Sequence, residues 1–205
     1  MNYGEIRTQF KAILNRRDCT NALADTFLNQ SLERCSRELS LTGQEAQYQI
    51  TVGSTFSGLT LPSNVNQIIG VMTNLTDTQQ RKVENRSLAR LLEIDRVGQG
   101  NPQFYARVGN TLQFRPTPAE GVVITLYYYG DFPQFSGDTS ETFLSVIASD
   151  LLIYGALSYA ADYFMDDRGQ AFEARYNQIA QALQDQAYDL EAHDAQVAPA
   201  YNLKY

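Results

Sequence analysis

Apolar residues along this chain change their period twice, and the two changes divide it. Tyr3, Ile6, Phe10, Ile13 and Leu14 recur at three and four positions, the spacing that lines one face of a helix. Asn2 is placed to cap that helix and the run Asn15 to Asp18 to end it. After Thr20 the same period returns in Leu23, Phe27, Leu28, Leu32, Cys35 and Leu39, and Gly43 stops it. The two helices are expected to pack as a pair.

From Gln44 to Gly130 the period becomes two, with β-branched and aromatic residues punctuated by Gly, Pro and Asn. Strands are expected at Tyr48–Val52, Leu59–Leu61, Ile68–Met72, Phe104–Val108, Thr111–Phe114 and Val122–Tyr129, with Gly109-Asn110 as a two-residue hairpin turn. One helix, Ser87 to Val97, interrupts them. Leu88, Leu91, Leu92 and Ile94 form its apolar face, and Arg86 and Arg90 lie four apart on another.

The helical period resumes in the last third. Phe143 to Ile147 makes one turn, Ser149-Asp150 caps the next segment, and Leu151 to Met165 is apolar around most of its circumference. Past a tight connection at Asp166 to Gly169, the residues Phe172, Tyr176, Ile179, Leu183, Ala187 and Leu190 define an amphipathic helix that should pair antiparallel with the one before. From His193 the pattern turns extended. Val197, Pro199, Tyr201, Leu203 and Tyr205 alternate and give that segment one apolar face.

The predicted class is α+β: a helical bundle drawn from both chain ends, an inserted antiparallel β-rich subdomain and an extended C-terminal tail. The divisions are 1–43 for the N-terminal helical pair, 44–130 for the β-rich insertion with its short helix, 131–192 for the helical hairpin and 193–205 for the tail.

At 205 residues, 43% hydrophobic and 19% charged, the chain suits one domain or one domain with an insertion. No apolar stretch is long enough to span a bilayer core of roughly 30 Å. The N-terminus has neither the basic region nor the apolar run of a secretory signal, so an intracellular start is expected. Cys19 and Cys35, read in one helix, would stand about 24 Å apart at a rise of roughly 1.5 Å per residue. That is too far to pair, and both read as reduced core thiols.

Net charge is −7, split as +2 over residues 1–107 and −9 over residues 108–205. This balance argues against a dedicated nucleic-acid binder, which needs a basic footprint. The densest basic stretch, Arg81, Lys82, Arg86, Arg90 and Arg96, is interleaved with Glu84, Glu93 and Asp95. It reads as a solvated face first, with a contact for an acidic partner surface and then a DNA contact as the alternatives.

Catalytic chemistry finds little footing. The single histidine, His193, sits in the tail rather than on a rigid element, so a Ser-His-Asp arrangement is not expected. Two separated cysteines and one histidine do not make a zinc site. Asp162, Asp166 and Asp167 lack the regular spacing of a calcium loop and read as a helix exit, with Arg168 as counter-charge. Gly98-Gln99-Gly100 lacks a third glycine and a following helix, so it reads as a turn and not a dinucleotide loop. The Asn-x-Ser/Thr triplets at Asn29, Asn74 and Asn85 have no role in an intracellular chain. No cofactor and no metal are expected.

The order of elements, with Tyr3-Gly-Glu-Ile-Arg-Thr-Gln-Phe10 and Leu14-Asn-Arg-Arg-Asp18, then Gly100-Asn-Pro-Gln-Phe-Tyr105, Leu112-Gln-Phe-Arg-Pro-Thr-Pro118 and Leu126-Tyr-Tyr-Tyr129, then Asp150-Leu-Leu-Ile-Tyr-Gly-Ala-Leu157 and Ala160-Ala161, resembles the head-to-tail adaptors, or connectors, of tailed bacteriophages. The resemblance is strongest to the tail tubular adaptors of short-tailed phages and spans residue 3 to about 165. It implies a structural, non-enzymatic component of the virion neck, assembled in the host cytoplasm. It also implies a homo-oligomeric ring of twelve copies between portal protein and tail nozzle protein, with DNA passing through the lumen without specific binding.

On that basis Val197, Pro199, Tyr201, Leu203 and Tyr205 are the expected portal anchor, and a tail folded back on its own helices is the other reading. Arg86 and Arg90 are expected to contact acidic residues of a neighbouring subunit, since a closed ring joins unlike patches, and the lumen is expected to be acidic. The competing function is a small hydrolase acting on cell-wall glycan through paired carboxylates.

Overall fold

A computed structural model describes residues 1–76, 79–94 and 98–192. In chain order the elements are α1 (Tyr3–Leu14), α2 (Asn21–Glu38), β1 (Glu45–Thr51), β2 (Leu59–Thr60), β3 (Val65–Thr76), β4 (Gln79–Asn85), α3 (Leu88–Glu93), β5 (Gln99–Gly100), β6 (Phe104–Val108), β7 (Thr111–Arg115), β8 (Thr117–Pro118), β9 (Val123–Gly130), α4 (Phe143–Ile147), α5 (Ser149–Phe164) and α6 (Gly169–Ala192). The fold is α+β, with helices toward both ends of the chain and a curled, largely antiparallel sheet between them. Two compact units result. Among the described residues, 1–43 together with 132–192 form a helical unit, and Gln44–Asp131 form a sheet unit.

In the helical unit the local signals act as read. Asn2 accepts from the Glu5 amide at 2.9 Å while the Glu5 carboxylate accepts from the Asn2 amide at 3.0 Å, a capping box that satisfies two donors at the start of α1. Asn15 ends α1 in the left-handed region at φ 54°, where its short polar side chain is tolerated. Thr20 caps α2 through a bond from the Leu23 amide. Cys19 therefore lies outside the helix, just before its cap, and the single-helix separation of the two cysteines does not hold. Both are buried free thiols, and desolvation pushes the Cys35 thiol up to about 11.

α5 begins without the Ser149-Asp150 cap expected of it. Ala148 occupies the cap position, makes no side-chain bond there and serves also as the C-cap of α4. Ile6, Phe10, Leu28, Leu32, Leu144, Leu152, Leu157 and Tyr176 join one apolar cluster. Gly155 is where α5 comes closest to its neighbours: a Cβ there would run into Ser31 of α2 and approach Tyr176 of α6.

Three arginines tie distant parts of this unit together. Arg7 bonds Asp25 at 3.1 Å and Asp138 at 2.7 Å. Arg168 donates to the Ile13 and Leu14 carbonyls at 3.2 and 3.0 Å, serving carbonyls that the end of α1 leaves free. Arg34 grips Glu173 with two bonds of 2.8 and 2.7 Å, bonds Glu38 at 2.9 Å and stacks 3.9 Å over the Tyr176 ring. The buried Tyr176 hydroxyl donates to Glu38 at 2.7 Å. Burial, the neighbouring Cys35 and that carboxylate hold it well above the ordinary tyrosine range.

In the sheet unit the strand order is β1-β9-β3-β4-β6-β7-β2, with β5 and β8 as a separate pair. Val71, Val83, Tyr105, Leu112, Phe114, Ile124, Leu126 and Tyr128 face the interior, as period two requires. Gly109 takes φ +60° at the first position of the hairpin turn, and Val108 pairs with Thr111 across it.

The sheet departs from expectation in two ways. β4 was not legible: Gln-Gln-Arg-Lys-Val-Glu-Asn supplies one buried apolar residue, Val83, too few to show alternation. The sheet is also not wholly antiparallel, because β4 meets β6 in parallel at Glu84–Phe104 and Asn85–Tyr105. The Gln99-Gly100 step, read as a turn, is a short strand parallel to β8.

The inserted helix is likewise shorter than the Ser87–Val97 reading. It is capped by Ser87 and spans Leu88–Glu93. Of its four apolar residues Leu91 is buried, whereas Leu88 and Leu92 are exposed, Leu92 at 62%. Arg86 precedes the cap and so does not share a helix face with Arg90.

Candidate interaction surfaces

The first surface follows from the end of β4. The Arg86 amide bonds the Tyr105 carbonyl at 2.8 Å, which holds the backbone to β6 and lays the guanidinium 5.2 Å over the Phe104 ring. Arg86 pairs with Glu84 at 2.7 Å, and Arg90, three residues past the Ser87 cap, pairs with Glu93 at 2.9 Å. All four side chains are at least half exposed. Such pairs contribute roughly 0 to 1 kcal/mol, so either arginine can trade its partner for another carboxylate at little cost. Leu88 and Leu92 add exposed apolar area on the same short helix.

The second surface lies between α4 and the C-terminal half of α6. Four of the five residues of α4 are apolar (Phe143, Leu144, Val146 and Ile147), and so short a helix cannot bury all of them. Leu144 is buried, while Val146 and Ile147 remain 63% and 53% exposed. Beside Ile147 run two hollows of about 90 and 460 Å³ that share Ile147, Leu183 and Gln186, so they form one trough. Leu41, Phe143 and Ala187 line its first part, and Tyr154, Ile179 and Ala182 its second. The sequence reading passed over this surface. Its one local signal was the excess of apolar residues in a single helical turn.

A third apolar point is the α5–α6 turn. There Met165 sits in the left-handed region at φ 51° and is 92% exposed, an uncommon place for an unbranched apolar residue.

A broad groove of about 760 Å³ collects the carboxylates Asp162, Asp166, Asp167 and Glu173. Two of them are committed to arginines. Arg168 bonds Asp166 at 2.6 Å and holds its carboxyl down at about 2, and Arg34 likewise holds Glu173 below the ordinary range. Neither can carry the proton that a general acid needs near neutral pH. Among the described residues no group of three or more His, Cys, Asp or Glu could hold a metal ion, and no helix is long and apolar enough to cross a membrane.

Of the residues expected to carry function, Arg86 and Arg90 flank the Ser87 cap at the β4–α3 junction, each paired with its own glutamate. His193, Val197, Pro199, Tyr201, Leu203 and Tyr205 lie outside the described residues, as do Asp95 and Arg96.

Among the described residues these features are exposed charged and apolar surfaces. The family model described as SU10 adaptor protein matches residues 1–200. The chain belongs to the SU10 adaptor protein family. As a member of this family of phage head-to-tail adaptors it is a structural protein of the virion. No curated protein matches the SU10-family chain.

Proposed function

We propose that this SU10-family adaptor is one subunit of a ring that joins the portal protein to the tail nozzle protein in the virion neck and leaves a lumen for DNA. The extent of the family match carries this reading. Residues 1–200 take in both units, so the shared feature is the whole architecture and not one motif. The ring has twelve copies, as the resemblance implies, and is assembled in the host cytoplasm.

Neighbouring copies meet through unlike patches, as ring closure demands: Arg86 and Arg90 of one against acidic residues in the C-terminal half of the next. The charge split of +2 against −9 supplies both partners. Val197, Pro199, Tyr201, Leu203 and Tyr205 anchor the ring to the portal, where repetition around the ring multiplies a modest individual contact. An acidic lumen spares DNA the counterion-driven attraction that basic groups would create.

Light scattering after size exclusion, with and without portal rings, tests the proposal. The wild-type chain is expected to co-elute with portal as a ring. The Arg86→Glu, Arg90→Glu double variant should keep its circular dichroism yet lose about tenfold in ring formation, because reversing contact charges replaces attraction with like-charge repulsion. Wild-type behaviour of the double variant would remove these arginines from the interface, and a chain that stays monomeric on portal rings would overturn the adaptor ring itself.

A further inference from the structure

We propose that β1 is a docking edge for a second copy of this chain: two β1 strands pair antiparallel about Tyr48 and join two sheets into one. Such a pair closes on itself at two copies, so it belongs to the chain outside the ring and stands apart from the ring reading.

The free edge follows from the phase of the backbone. β1 ends the seven-stranded sheet and pairs with β9 alone. The Val52 amide donates to the Val122 carbonyl at 2.8 Å, and the Val52 carbonyl accepts from the Gly121 amide at 2.9 Å, so the backbone of Val52 is turned toward β9. Alternation along an antiparallel strand turns Ile50, Tyr48 and Ala46 the same way and sends the N–H and C=O groups of Glu45, Gln47, Gln49 and Thr51 outward. The Asp131 amide, bonded to the Asn64 carbonyl at 3.0 Å, agrees: odd residues at this end of β9 face β3, which leaves even ones for β1. All four outward residues of β1 are exposed, and no other backbone among the described residues bonds to them.

Sheet edges are normally guarded by shortness, bulges, lysine or proline. β1 has none of these: it is seven residues long, Glu-Ala-Gln-Tyr-Gln-Ile-Thr, and keeps one unbroken register with β9. Other open places in the same sheet are guarded. β2 is two residues long, the part of β3 before Val71, which β4 does not reach, carries two register shifts, and the part of β4 before Glu84, which β6 does not reach, carries Arg81 and Lys82.

The occupant is chosen by the strand's complementarity to itself. Tyr48 is the middle residue of Glu45–Thr51. In the register centred on it, Glu45 lies opposite Thr51 of the second copy and Gln47 opposite Gln49, and each such pair of outward residues exchanges both of its hydrogen bonds. Every outward N–H and C=O of both strands then has a partner, whereas a shift of two residues either way leaves some without one. Glu45, the one charged residue of β1, faces a threonine, so no like charges meet. Ala46 opposes Ile50, and both already pack against the inner cluster of their own sheet. Tyr48, on the same face and 37% exposed, meets its own counterpart as a cross-strand aromatic pair.

The test uses the full chain without portal. Edge pairing of this length is weak against the cost of association, so sedimentation should show a dimer at concentrations on the order of 100 μM and above. Gln49→Pro removes an outward amide and leaves the β9 ladder intact; it should keep the circular dichroism and lose the dimer. Because position 47 faces position 49 of the second copy, Gln47→Lys with Gln49→Lys should weaken the dimer about tenfold, and Gln47→Glu with Gln49→Lys should tighten it. Under oxidised glutathione, Tyr48→Cys should give a covalent dimer, since opposite Cα atoms about 4.5 Å apart lie within disulfide reach. Gln47→Cys stands diagonally from its own counterpart at about 7 to 8 Å and should give about tenfold less. A chain that stays monomeric, a dimer indifferent to these substitutions, or equal yields from the two cysteine variants would overturn the proposal. Larger assemblies that Gln49→Pro dissolves, without a Tyr48→Cys disulfide, would assign the edge to an unlike strand and overturn the two-fold pair.

Discussion

The two units reach stability by different means. In the helical unit, side chains far apart in sequence clamp one another: Arg34 of α2 holds Glu173 of α6, Arg7 of α1 holds Asp25 and Asp138, and Arg168 holds the last carbonyls of α1. In the sheet unit the ion pairs described above, Arg86–Glu84 and Arg90–Glu93, join residues two or three apart and fix no tertiary relationship. There the arrangement rests on register and on the inner face of the sheet. A helix can rotate or slide against its neighbours while keeping its own hydrogen bonds, so its position needs specific contacts. A strand is positioned by its ladder, because a slip of one residue turns its apolar set to the wrong face.

The contrast is most exposed at β9, which pairs with both β1 and β3. Leu126 on this strand is fully buried and stands between Tyr48 and Val71. Leu126→Ala should cost about 3 kcal/mol, within the roughly 2 to 5 typical of such truncations, measured by urea denaturation. A loss below about 1 kcal/mol, the scale of a single methylene, would show that the inner face collapses around the gap and that register alone holds the sheet.

A smaller effect sharpens the helical side of the comparison. Alanine is about 1 kcal/mol better than glycine within a helix, so Gly155→Ala taken locally should stabilise α5. The added Cβ meets Ser31 of α2 and Tyr176 of α6, and overpacking of this kind costs roughly 1 to 3 kcal/mol. Packing should win, with a net loss of about 1 kcal/mol. Ser31→Ala, which removes the hydroxyl in the way, should recover part of it. A stabilised Gly155→Ala protein would mean that α2 can shift away from α5, contrary to a clamped unit.

The same contrast governs what could be read from the sequence. The starts of α1 and α2 were legible because period and caps agree: Asn2 with Glu5, and Thr20 before the first apolar position; the end of α2 was not, since the reading ran the period to Gly43 while the helix stops at Glu38. The Gly109-Asn110 hairpin was legible because its turn chemistry is local. β4 was not, since one buried valine carries no period, and neither were its parallel pairing with β6 and the β5–β8 contact, which depend on partners elsewhere in the chain. Arg86 and Arg90 could be recognised as charged candidates, but Arg86 was assigned to a helix that begins only after it, because the Ser87 cap was counted as helix. The trough could not be read at all. It joins Leu41, Ile147 and Leu183, residues that share no motif and meet only through packing.

The mildest expected effect concerns acid. Asp18, Asp166 and Glu173, each held below the ordinary carboxylate range by hydrogen bonds from an arginine, belong to the helical unit. For Asp166 the fall is from an ordinary 3.8 to about 2, caused first by the Arg168 side-chain bond and then by the Arg168 amide. A carboxyl whose pKa is lower in the folded than in the unfolded chain releases protons on folding. Its stabilisation is therefore complete above the unfolded value and disappears as pH falls through the folded one. The contribution of Asp166 should be intact at pH 5, decline below pH 4, be mostly lost at pH 2 and be gone below it. Arg168 is about half exposed at this pair and solvent screens it, so the loss is small, and Asp166→Asn should flatten it selectively. The measurement is urea denaturation followed at 222 nm at pH 5, 4, 3 and 2. An Asp166→Asn protein that loses as much stability between pH 4 and pH 2 as the wild type would show that the clamp at the α5–α6 turn does not couple to folding, and would place the acid sensitivity of the helical unit on Glu173 and Asp18.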